Sequence, residues 1–236
     1  MIPTYNESEN LPKITSELFG LSVPDLRLVI VDDNSPDGTG EIADSLAEKY
    51  PGRITVLHRK GKLGLGTAYI QGFKKALEEG ADCVGQMDAD FSHEPGKLIE
   101  LLNALQDSEV SLGSRYVQGG QLDDRWPLWR KWLSGFGNFY ARTILHLPFK
   151  DVTGGFRIWR REVLLGMPLE RIRSNGFGFQ VEMAYVAHRL GYGFTEVPIY
   201  FADRQLGASK MSLRIQIEAA FRVWQFLFMY RDLKPE

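Results

Sequence analysis

Stretches with strand character alternate with stretches of helix character through the first half of the chain, and short turns link them. The strand-like stretches cover residues 25–34, 53–59, 82–88 and 110–116. The helix-like stretches cover residues 40–49, 66–80 and 96–107. This alternation predicts an α/β fold with a mainly parallel sheet flanked by helices. In such a fold, ligands bind at the carboxyl ends of the strands.

The two ends of the chain differ from this pattern. Only Met1 and Ile2 precede the stretch "PTYNE", so we expect a very short first strand. From about residue 114 the chain is richer in Trp, Arg and Gly, and we expect helices there rather than alternating strands. No linker, internal repeat or low-complexity segment separates the halves. We therefore predict a single domain over residues 1–236, with one half near 1–113 and the other near 114–236.

Composition argues against some classes of function. The chain has 236 residues and a net charge of -2, so nothing favours nucleic acid, and an anionic ligand must be held by a local group of basic residues. Cys83 is the single cysteine, which excludes an internal disulfide and fits a reducing compartment. The N-terminus lacks a signal-peptide pattern and no apolar run reaches the ~18 residues of a membrane span, so we expect a soluble or peripheral protein.

Two aspartates end the third predicted strand, in the stretch "MDAD". Side chains of a strand alternate between faces, so Asp88 and Asp90 point the same way and Ala89 points opposite. The stretch "VDD", which ends at Asp33, lies at the same edge of a parallel sheet. Paired carboxylates suit Mg²⁺ or Mn²⁺, which take oxygen ligands together with substrate phosphates. A solvated strand end is the alternative, and His93 is either part of this site or a structural histidine.

Two segments of the second half combine cations with other features. The stretch "RQLGASK", from Arg204 to Lys210, indicates either a phosphate clamp or a polar surface loop.

The other segment, residues 123–138, has a helix start at Pro127 and tryptophans three residues apart beside basic residues. The tryptophans either lie at a membrane interface or pack into the core. The apolar C-terminal stretch 213–230 favours core packing or a partner helix over membrane contact.

Seven motifs in order resemble those of one enzyme family. They are "PTYNESENL", "VDDNSPDGT", "GKLGLGTAY", "MDADFSHEP", "GSRYVQGG", "DVTGGFR" and "RQLGASK". Together they look like the motifs of dolichol-phosphate (polyprenol-phosphate) mannose synthases, which are family-2 glycosyltransferases. The resemblance covers nearly the whole chain. It implies a GT-A fold, the Rossmann-like fold of nucleotide-diphospho-sugar transferases, and it favours the metal interpretation of the aspartate pair.

The resemblance also implies GDP-mannose as the donor and Mg²⁺ or Mn²⁺ as the cofactor, with residues 1–113 as the nucleotide-sugar half. The residues that would bind the donor are Pro3, Tyr5, Glu7, Val31, Asp33, Lys62 and Ala89. Among these, Asp33 would reach the base. Asp88 and Asp90 would be the metal ligands that hold the donor diphosphate.

For the acceptor, the resemblance implies a polyprenyl or dolichyl monophosphate, bound by the second half with its interfacial helices. Residues that would meet donor or acceptor phosphates are Arg115, Arg130, Arg204 and Lys210, and residues that would lie near the sugar are Asp151 and Glu182. The same resemblance implies peripheral association at the cytoplasmic face of a membrane, directly or through a small membrane partner subunit.

Two positions depart from the family pattern. Ser92 stands where some members carry a glutamine metal ligand, so either Ser92 or water would be the third ligand. Gly135 follows Ser134 where many members have a basic residue, so phosphate binding would depend more on Arg130.

The acceptor's chemistry explains why no general base is evident. A phosphate monoester has a second pKa of about 6 and is already an anionic nucleophile at neutral pH. We therefore expect a single displacement with inversion at the anomeric carbon. Three alternatives are a sibling enzyme that uses UDP-glucose or another sugar nucleotide, a non-catalytic nucleotide-sugar-binding subunit, and a transferase with a protein or glycan acceptor.

Overall fold

Strands and helices alternate along the computed structural model, which describes residues 1–203 and 213–235. The strands are β1 (Ile2–Thr4), β2 (Leu28–Asp32), β3 (Ile54–His58), β4 (Cys83–Gln86), β5 (Val110–Ser114), β6 (Gln121–Leu122), β7 (Arg157–Arg160), β8 (Phe194–Pro198) and β9 (Tyr200–Phe201). The helices are α1 (Leu11–Phe19), α2 (Thr39–Lys49), α3 (Leu65–Glu78), α4 (Lys97–Ala104), α5 (Leu128–Leu145), α6 (Arg161–Gly166), α7 (Phe177–Arg189) and α8 (Leu213–Met229).

Two sheets are connected by hydrogen bonds of the backbone of Met1, the residue before β1. The strands of the first are ordered β1-β2-β3 and those of the second β4-β7-β5-β8. The amino group of Met1 donates to the carbonyl of Gly85 at 2.8 Å, and the carbonyl of Met1 accepts from the amide of Met87 at 3.3 Å. β7 is antiparallel to both its neighbours, whereas the other pairings in these two sheets are parallel. The predicted α/β fold with a mainly parallel sheet flanked by helices is confirmed.

Strand β2 shows how the sequence builds a core on both faces of the sheet. Its residues "LVIVD" are all buried, as expected for a central parallel strand. Leu28 and Ile30 face one core cluster, which α1, α2 and α4 complete. Val29 and Val31 face the other, which draws on α3, α5, α6, α7 and α8. This alternation places helices on both sides of the sheet.

The strands and helices predicted for the first half are present within a few residues of their predicted limits. β1 has three residues, as expected from the few residues before "PTYNE". Helix α5 begins at Leu128, directly after Pro127. Proline suits this place because a helix start has no partner for its backbone N–H groups.

The expectation of helices without alternating strands after residue 114 is wrong. β7 lies between β4 and β5, and β8 pairs with the far side of β5. Both are four or five residues long, and their sequences "RIWR" and "FTEVP" do not show a clean period of two. Hydrogen bonding to distant strands, rather than local pattern, makes these segments strands. One sheet therefore combines β4 and β5 from the first half of the chain with β7 and β8 from the second half.

Candidate active site

One edge of the sheet gathers the chemically interesting residues. The parallel strands β1, β2, β4 and β5 end there, and the antiparallel β7 begins there, since Arg157 pairs with Gln86 and with Leu112. The loops that follow the strand ends carry the aspartate pair and most of the predicted donor residues, whereas Pro3 and Val31 lie within β1 and β2. This is the edge at which open α/β sheets bind their ligands.

Asp88 and Asp90 follow β4 and are held by different neighbours. The hydroxyl of Tyr69, on α3, donates to Asp88 Oδ1 at 3.0 Å. The amide of Ser92 donates to Asp90 Oδ1 at 3.0 Å, and Asp90 is buried. Ala89 packs into the core cluster with α1, α2 and α4, as the alternation of side chains predicted. The chain therefore fixes both carboxylates before any ligand binds.

Asp88, Asp90 and Ser92 fit a hard divalent cation that keeps some of its water ligands. Ser92 Oγ is buried and has no hydrogen-bond partner, so it can complement the two carboxylates. Within residues 1–203 and 213–235, no three His, Cys, Asp or Glu side chains form a group able to hold a metal alone. Mg²⁺ and Mn²⁺ are typically bound by one or two carboxylates, with water and substrate phosphates as the other ligands. The site matches that pattern.

His93 forms part of the wall beside the aspartates. Its ring stacks on Phe156 at 5.1 Å and meets Phe201 edge-on at 5.3 Å. Burial lowers the pKa of His93, although Asp88 and Asp90 oppose this change. The neutral form is therefore favoured, and Nδ1 lies 3.4 Å from the amide of Asp88 as its acceptor. This placement is that of a hydrogen-bonded structural histidine.

Arg115 and Asp151 form a buried ion pair beyond the end of β5. Nε and Nη2 of Arg115 donate to the two carboxylate oxygens at 2.7 and 2.8 Å, and Nη2 also donates to Thr153. Asp151 is fully buried. Its burial would raise the pKa of the carboxyl, but Arg115 outweighs this and keeps the pKa below its ordinary value. The structure thus places Asp151 behind Arg115 as its counter-ion.

Predicted donor residues lie together at the ends of β1 and β2. Pro3 and Val31 are paired in register. Lys62 Nζ lies 3.7 Å from the centre of the Tyr5 ring, within the range of a cation–π contact. Glu7 lies just beyond, where its amide donates to Thr39 Oγ1 at 2.9 Å. These predicted donor residues therefore lie close to the ends of β1 and β2, and Val31 among them is fully buried.

Asp33, at the end of β2, is paired with an arginine that the sequence analysis did not single out. Asp33 Oδ1 lies 2.6 Å from Arg59 Nη1, and the exposed fractions of the two side chains are 9% and 3%. Burial raises the pKa of the Asp33 carboxyl, and Arg59 opposes this by favouring the ionised form. Arg59 follows β3 as Asp33 follows β2, so the strand-end rule could have found it.

Glu182, on α7, anchors a loop. It is fully buried and accepts hydrogen bonds from the amides of Arg173 and Ser174 and from the hydroxyl of Tyr230. Burial, and then Glu182, raise the pKa of that hydroxyl well above its ordinary value. The anchored loop lies against the turn that begins α3, near Gly66. Glu182 therefore shapes the surroundings of the site through this loop.

Arg130, near the start of α5, is held by Asp203 and Trp126. Its guanidinium donates to Asp203 Oδ1 at 3.0 Å and lies 3.6 Å from the centre of the Trp126 ring. Trp126 Nε1 donates to the same oxygen. The other predicted phosphate-binding residues, Arg204 and Lys210, lie outside the described residues. The structure therefore describes the chain up to Asp203, the residue before the predicted clamp.

Helices α5 and α8 expose a set of large apolar side chains. We call them the aromatic platform: Leu128, Trp129, Trp132, Phe136, Phe139, Phe221, Trp224 and Phe228. The helices are joined where Trp224 Nε1 donates to the hydroxyl of Tyr140. Other residues of α8, Val223 and Phe226, are buried, so the predicted core packing is confirmed for that face. Over the described parts of the chain, no helix combines the length and apolarity that crossing a bilayer needs.

Comparison with known proteins identifies the family. The family model described as "Glycosyl transferase family 2" matches residues 1–166. The chain belongs to glycosyl transferase family 2. The matched residues of this glycosyl transferase include Asp33, Asp88, Asp90, Arg115 and Asp151, so the strand-end residues described above lie within the family's own domain.

Curated relatives of this family 2 glycosyl transferase resemble it over most of their length. An undecaprenyl-phosphate mannosyltransferase of Micrococcus luteus is 46% identical, over 94% of this chain and 90% of that protein. A polyprenol monophosphomannose synthase of Mycolicibacterium smegmatis is 44% identical, over 94% of this chain and 84% of that protein. The resemblance to polyprenol-phosphate mannose synthases is confirmed.

Solved structures share the fold of this glycosyl transferase. Glucosyl-3-phosphoglycerate synthase from Mycobacterium tuberculosis, in complex with Mn²⁺, UDP and phosphoglyceric acid, has a TM-score of 0.64 at 18% identity. That match covers 100% of this chain and 78% of the other. The same enzyme with Mn²⁺, UDP-glucose and phosphoglyceric acid has a TM-score of 0.63 at 16% identity, over 100% of this chain and 79% of the other. The predicted GT-A fold is thereby confirmed.

Proposed function

We propose that this protein transfers mannose from GDP-mannose to a polyprenyl or dolichyl monophosphate, giving polyprenyl phosphate β-mannose with inversion. The observation that carries the proposal is the 46% identity to an undecaprenyl-phosphate mannosyltransferase over 94% of the chain. The site is consistent with it, because two fixed carboxylates stand at the ligand-binding edge of the sheet with arginines around them. A transferase that joins two phosphate-bearing substrates needs such cationic groups.

The donor would bind along the ends of β1 and β2, with its diphosphate at Asp88 and Asp90. Mg²⁺ or Mn²⁺ bound there would neutralise charge on the departing diphosphate. Tyr69 and the amide of Ser92 hold the two carboxylates in place, so little reorganisation is needed when the donor arrives. Besides the two carboxylates, the third ligand of the metal would be either Ser92 or a water molecule.

The acceptor needs positioning rather than deprotonation, because its phosphate is already anionic at neutral pH. Arg115 and Arg130, with Arg204 and Lys210, would bring the acceptor phosphate to the anomeric carbon against its repulsion from the donor. Arg115 is suited to this because Asp151 fixes its guanidinium from behind. The neutral, buried His93 is not needed as a base.

The aromatic platform would dock the protein on the cytoplasmic face of a membrane, where a polyprenyl acceptor resides. Trp129 and Trp132 are 66% and 69% exposed, which excludes the core interpretation for these two tryptophans. Trp126, in contrast, is buried. Exposed tryptophans beside cations such as Lys131 suit the headgroup region of a bilayer. A small membrane partner subunit is the other occupant that this face could accept.

The test is transfer of labelled mannose from GDP-mannose to a short polyprenyl phosphate in detergent, with Mn²⁺, with EDTA, and with Asp90→Ala. We expect a lipid product that needs the metal and falls by orders of magnitude in the variant. Asp82→Ala is the matched control, since Asp82 is an exposed aspartate before β4, at the opposite end of that strand. Product from UDP-glucose but not from GDP-mannose would show that the donor is UDP-glucose. No product with either, from folded protein, would favour a binding subunit.

A further inference from the structure

Three buried side chains are joined by hydrogen bonds that lead from the second sheet to the helix α7. The indole Nε1 of Trp159, on β7, donates to Gln86 Oε1 at 2.7 Å. Gln86, on β4, donates through Nε2 to Gln180 Oε1 at 2.7 Å and to the carbonyl of Gly155 at 2.9 Å. Trp159 and Gln86 are fully buried, and Gln180, on α7, is 4% exposed.

The indole fixes the direction in which the other two side chains point. An indole nitrogen only donates, so the atom of Gln86 that faces it is the oxygen, and the amino group of Gln86 faces Gln180. The atom of Gln180 that faces this amino group must accept, so it is Oε1. The amino group of Gln180 is therefore turned away from Gln86.

Gly155 shows what lies around that amino group. A Cβ built on Gly155 would lie 3.3 Å from Gln180 Nε2, 3.6 Å from His93 Cε1 and 3.9 Å from Asp88 Oδ2. Gly155 and Asp88 are partly exposed, whereas Gln180 and His93 are buried. The amide donor of Gln180 therefore borders the same small space as a carboxylate of the aspartate pair, and a ligand can reach this space.

We propose that Gln180 is a specificity-determining residue for the transferred sugar: its side-chain amide donates to one hydroxyl of that sugar, and Gln86 positions the amide. The inference rests on the proposed function, in which Asp88 and Asp90 hold the donor diphosphate through a metal. The sugar is bonded directly to that diphosphate, so it would lie beside the aspartate pair.

A neutral amide donor suits a sugar hydroxyl, which both accepts and donates hydrogen bonds. Phosphate groups, in contrast, pair best with arginines. Asp151 and Glu182, which the resemblance implies near the sugar, already accept several hydrogen bonds from the chain. A buried donor whose hydroxyl partner is missing stays unpaired, so the site should reject a sugar that lacks the contacted hydroxyl.

The experiment measures the dissociation constants of GDP and GDP-mannose with Mn²⁺ by calorimetry, without acceptor. GDP has no sugar, so the comparison separates contacts to the sugar from contacts to the nucleotide and the metal. The variants are Gln180→Met, Gln86→Met, and the two combined, because methionine adapts to a buried place and cannot donate a hydrogen bond. Deoxy forms of GDP-mannose that lack the hydroxyl at C2, C3, C4 or C6 identify the contacted group.

Gly155→Ala is a second approach that leaves the three side chains unchanged. Its added methyl group would occupy the space beside Gln180 Nε2 and should weaken GDP-mannose but not GDP. Gly85→Ala is the matched control, since its Cβ would also have neighbours at 3.6 and 3.9 Å, but these are Leu98 and Ile158 in the core. This pair keeps the test decisive if Gln180→Met does not fold.

We expect Gln180→Met to weaken GDP-mannose about tenfold and GDP less than about twofold. Gln86→Met should weaken GDP-mannose about threefold, because the amide of Gln180 loses the partner that orients it. The combined variant should bind GDP-mannose no more weakly than Gln180→Met alone, since Gln86 acts through Gln180. One deoxy donor should bind wild type about tenfold more weakly than GDP-mannose, yet bind Gln180→Met as well as GDP-mannose does.

Three results would overturn the inference while leaving the proposed function intact, in a protein that transfers mannose from GDP-mannose. In the first, Gln180→Met binds GDP-mannose within about twofold of wild type. In the second, GDP and GDP-mannose weaken equally in Gln180→Met, which would make Gln180 structural. In the third, every deoxy donor loses as much affinity in Gln180→Met as in wild type. Failure of the proposed function would appear in wild type itself, as absence of mannose transfer, and would overturn the inference with it.

Discussion

Individual carboxylates of this protein lie in two kinds of surroundings, the buried interior and the ligand-binding edge of the sheet. Asp151 and Glu182 are fully buried, and the donors of the chain already occupy their oxygens. Asp88 and Asp90 lie instead at the ligand-binding edge of the sheet, where the hydroxyl of Tyr69 and the amide of Ser92 contact them. Position at that edge is what makes these two carboxylates the candidates for binding a cation.

Asp151→Asn tests the structural role of one such carboxylate. At pH 7 the variant leaves the buried Arg115 without a counter-ion, and we expect the free energy of unfolding to fall by about 3–5 kcal/mol. Asp151 has a pKa below its ordinary value of 3.8 in the folded state, so the pair stabilises the protein above that pH. The difference between wild type and variant should therefore shrink as the pH falls below 3.8.

Urea unfolding at a series of pH values measures this difference. Asp232→Asn is the control, since the pair of Asp232 with Arg171 lies at the surface and should contribute little. If the free energy of unfolding fell equally in the two variants at pH 7, burial would not be important for the contribution of the Arg115–Asp151 pair.

Residue-level prediction from the sequence succeeded where a general rule applied. Asp33, Asp88 and Asp90 follow parallel strands, and the rule that strand ends form one edge brought them together. It failed for Asp203, which follows the two-residue strand β9 and is known as the partner of Arg130 only once the chain is folded. Tyr69, which donates to Asp88, is one apolar residue among many on α3 by sequence pattern.

At the scale of elements, two glycines in helices differ in the space around them. A Cβ added to Gly66, on α3, would lie 2.9 Å from Phe179 Cδ2 and closer still to the carbonyl of Ser174. One added to Gly137, on α5, would meet nothing within 4 Å. The first glycine lets α3 approach the loop that Glu182 anchors, and the second only lowers helix stability.

We therefore expect Gly66→Ala to destabilise the protein by about 1–3 kcal/mol, because backbone and ring must move to make room. Gly137→Ala should stabilise it by up to about 1 kcal/mol, because alanine favours the helix without any new contact. Thermal and urea unfolding measure both. Loss of stability in Gly137→Ala would show that α5 has contacts at this position in solution.

The aromatic platform gives a second prediction for elements. Replacing Trp129 and Trp132 with serine should weaken binding to vesicles of anionic phospholipid at least about tenfold, because both indole rings are exposed and would enter the headgroup region. Stability should change little, since neither ring is in the core. Sedimentation with vesicles measures binding, and circular dichroism measures stability.

Leu165→Ser is the control for this pair of substitutions. Leu165 is 61% exposed on α6 and lies outside the platform, so its replacement should leave vesicle binding unchanged. If the double tryptophan variant sediments like wild type, the platform does not dock on lipid, and a partner subunit becomes the better occupant.

Elements were predicted well where their sequence carries a local pattern. The buried strand β2 and the helix start after Pro127 are examples, because apolar runs and helix caps act over a few residues. β7 was missed because its four residues become a strand through pairing with β4 and β5, which are remote in sequence. The Trp-rich segment was ambiguous for a similar reason, since only the fold decides which face of α5 meets the core.

For the molecule as a whole, the melting temperature with and without ligands should reveal how the proposed metal is held. In the proposed site the ligands from the protein would be Asp88, Asp90 and Ser92, and residues 1–203 and 213–235 contain no group of three His, Cys, Asp or Glu side chains able to hold a metal alone. We expect Mn²⁺ alone to raise the melting temperature little, GDP alone to raise it modestly, and the two together to raise it by more than their sum.

Differential scanning fluorimetry with saturating ligands measures this synergy. Asp90→Asn should remove it, because the protein would then lose one of the two carboxylates proposed to hold the ion together with the diphosphate. A large shift with Mn²⁺ alone, unchanged by GDP, would instead show a self-sufficient metal site.

The place of β7 has a consequence for how the protein is made. Strands β4 and β5 are synthesised first, yet the strand that fills the gap between them comes roughly 40 residues later, a delay of a few seconds on a ribosome. During that time one edge of β4 and both edges of β5 lack their partner strands, since β8 is made later still, and unpaired strand edges are sites for aggregation. Synthesis of this protein should therefore depend on chaperones that bind nascent chains, and slowing translation between β5 and β7 should lower the yield of folded protein.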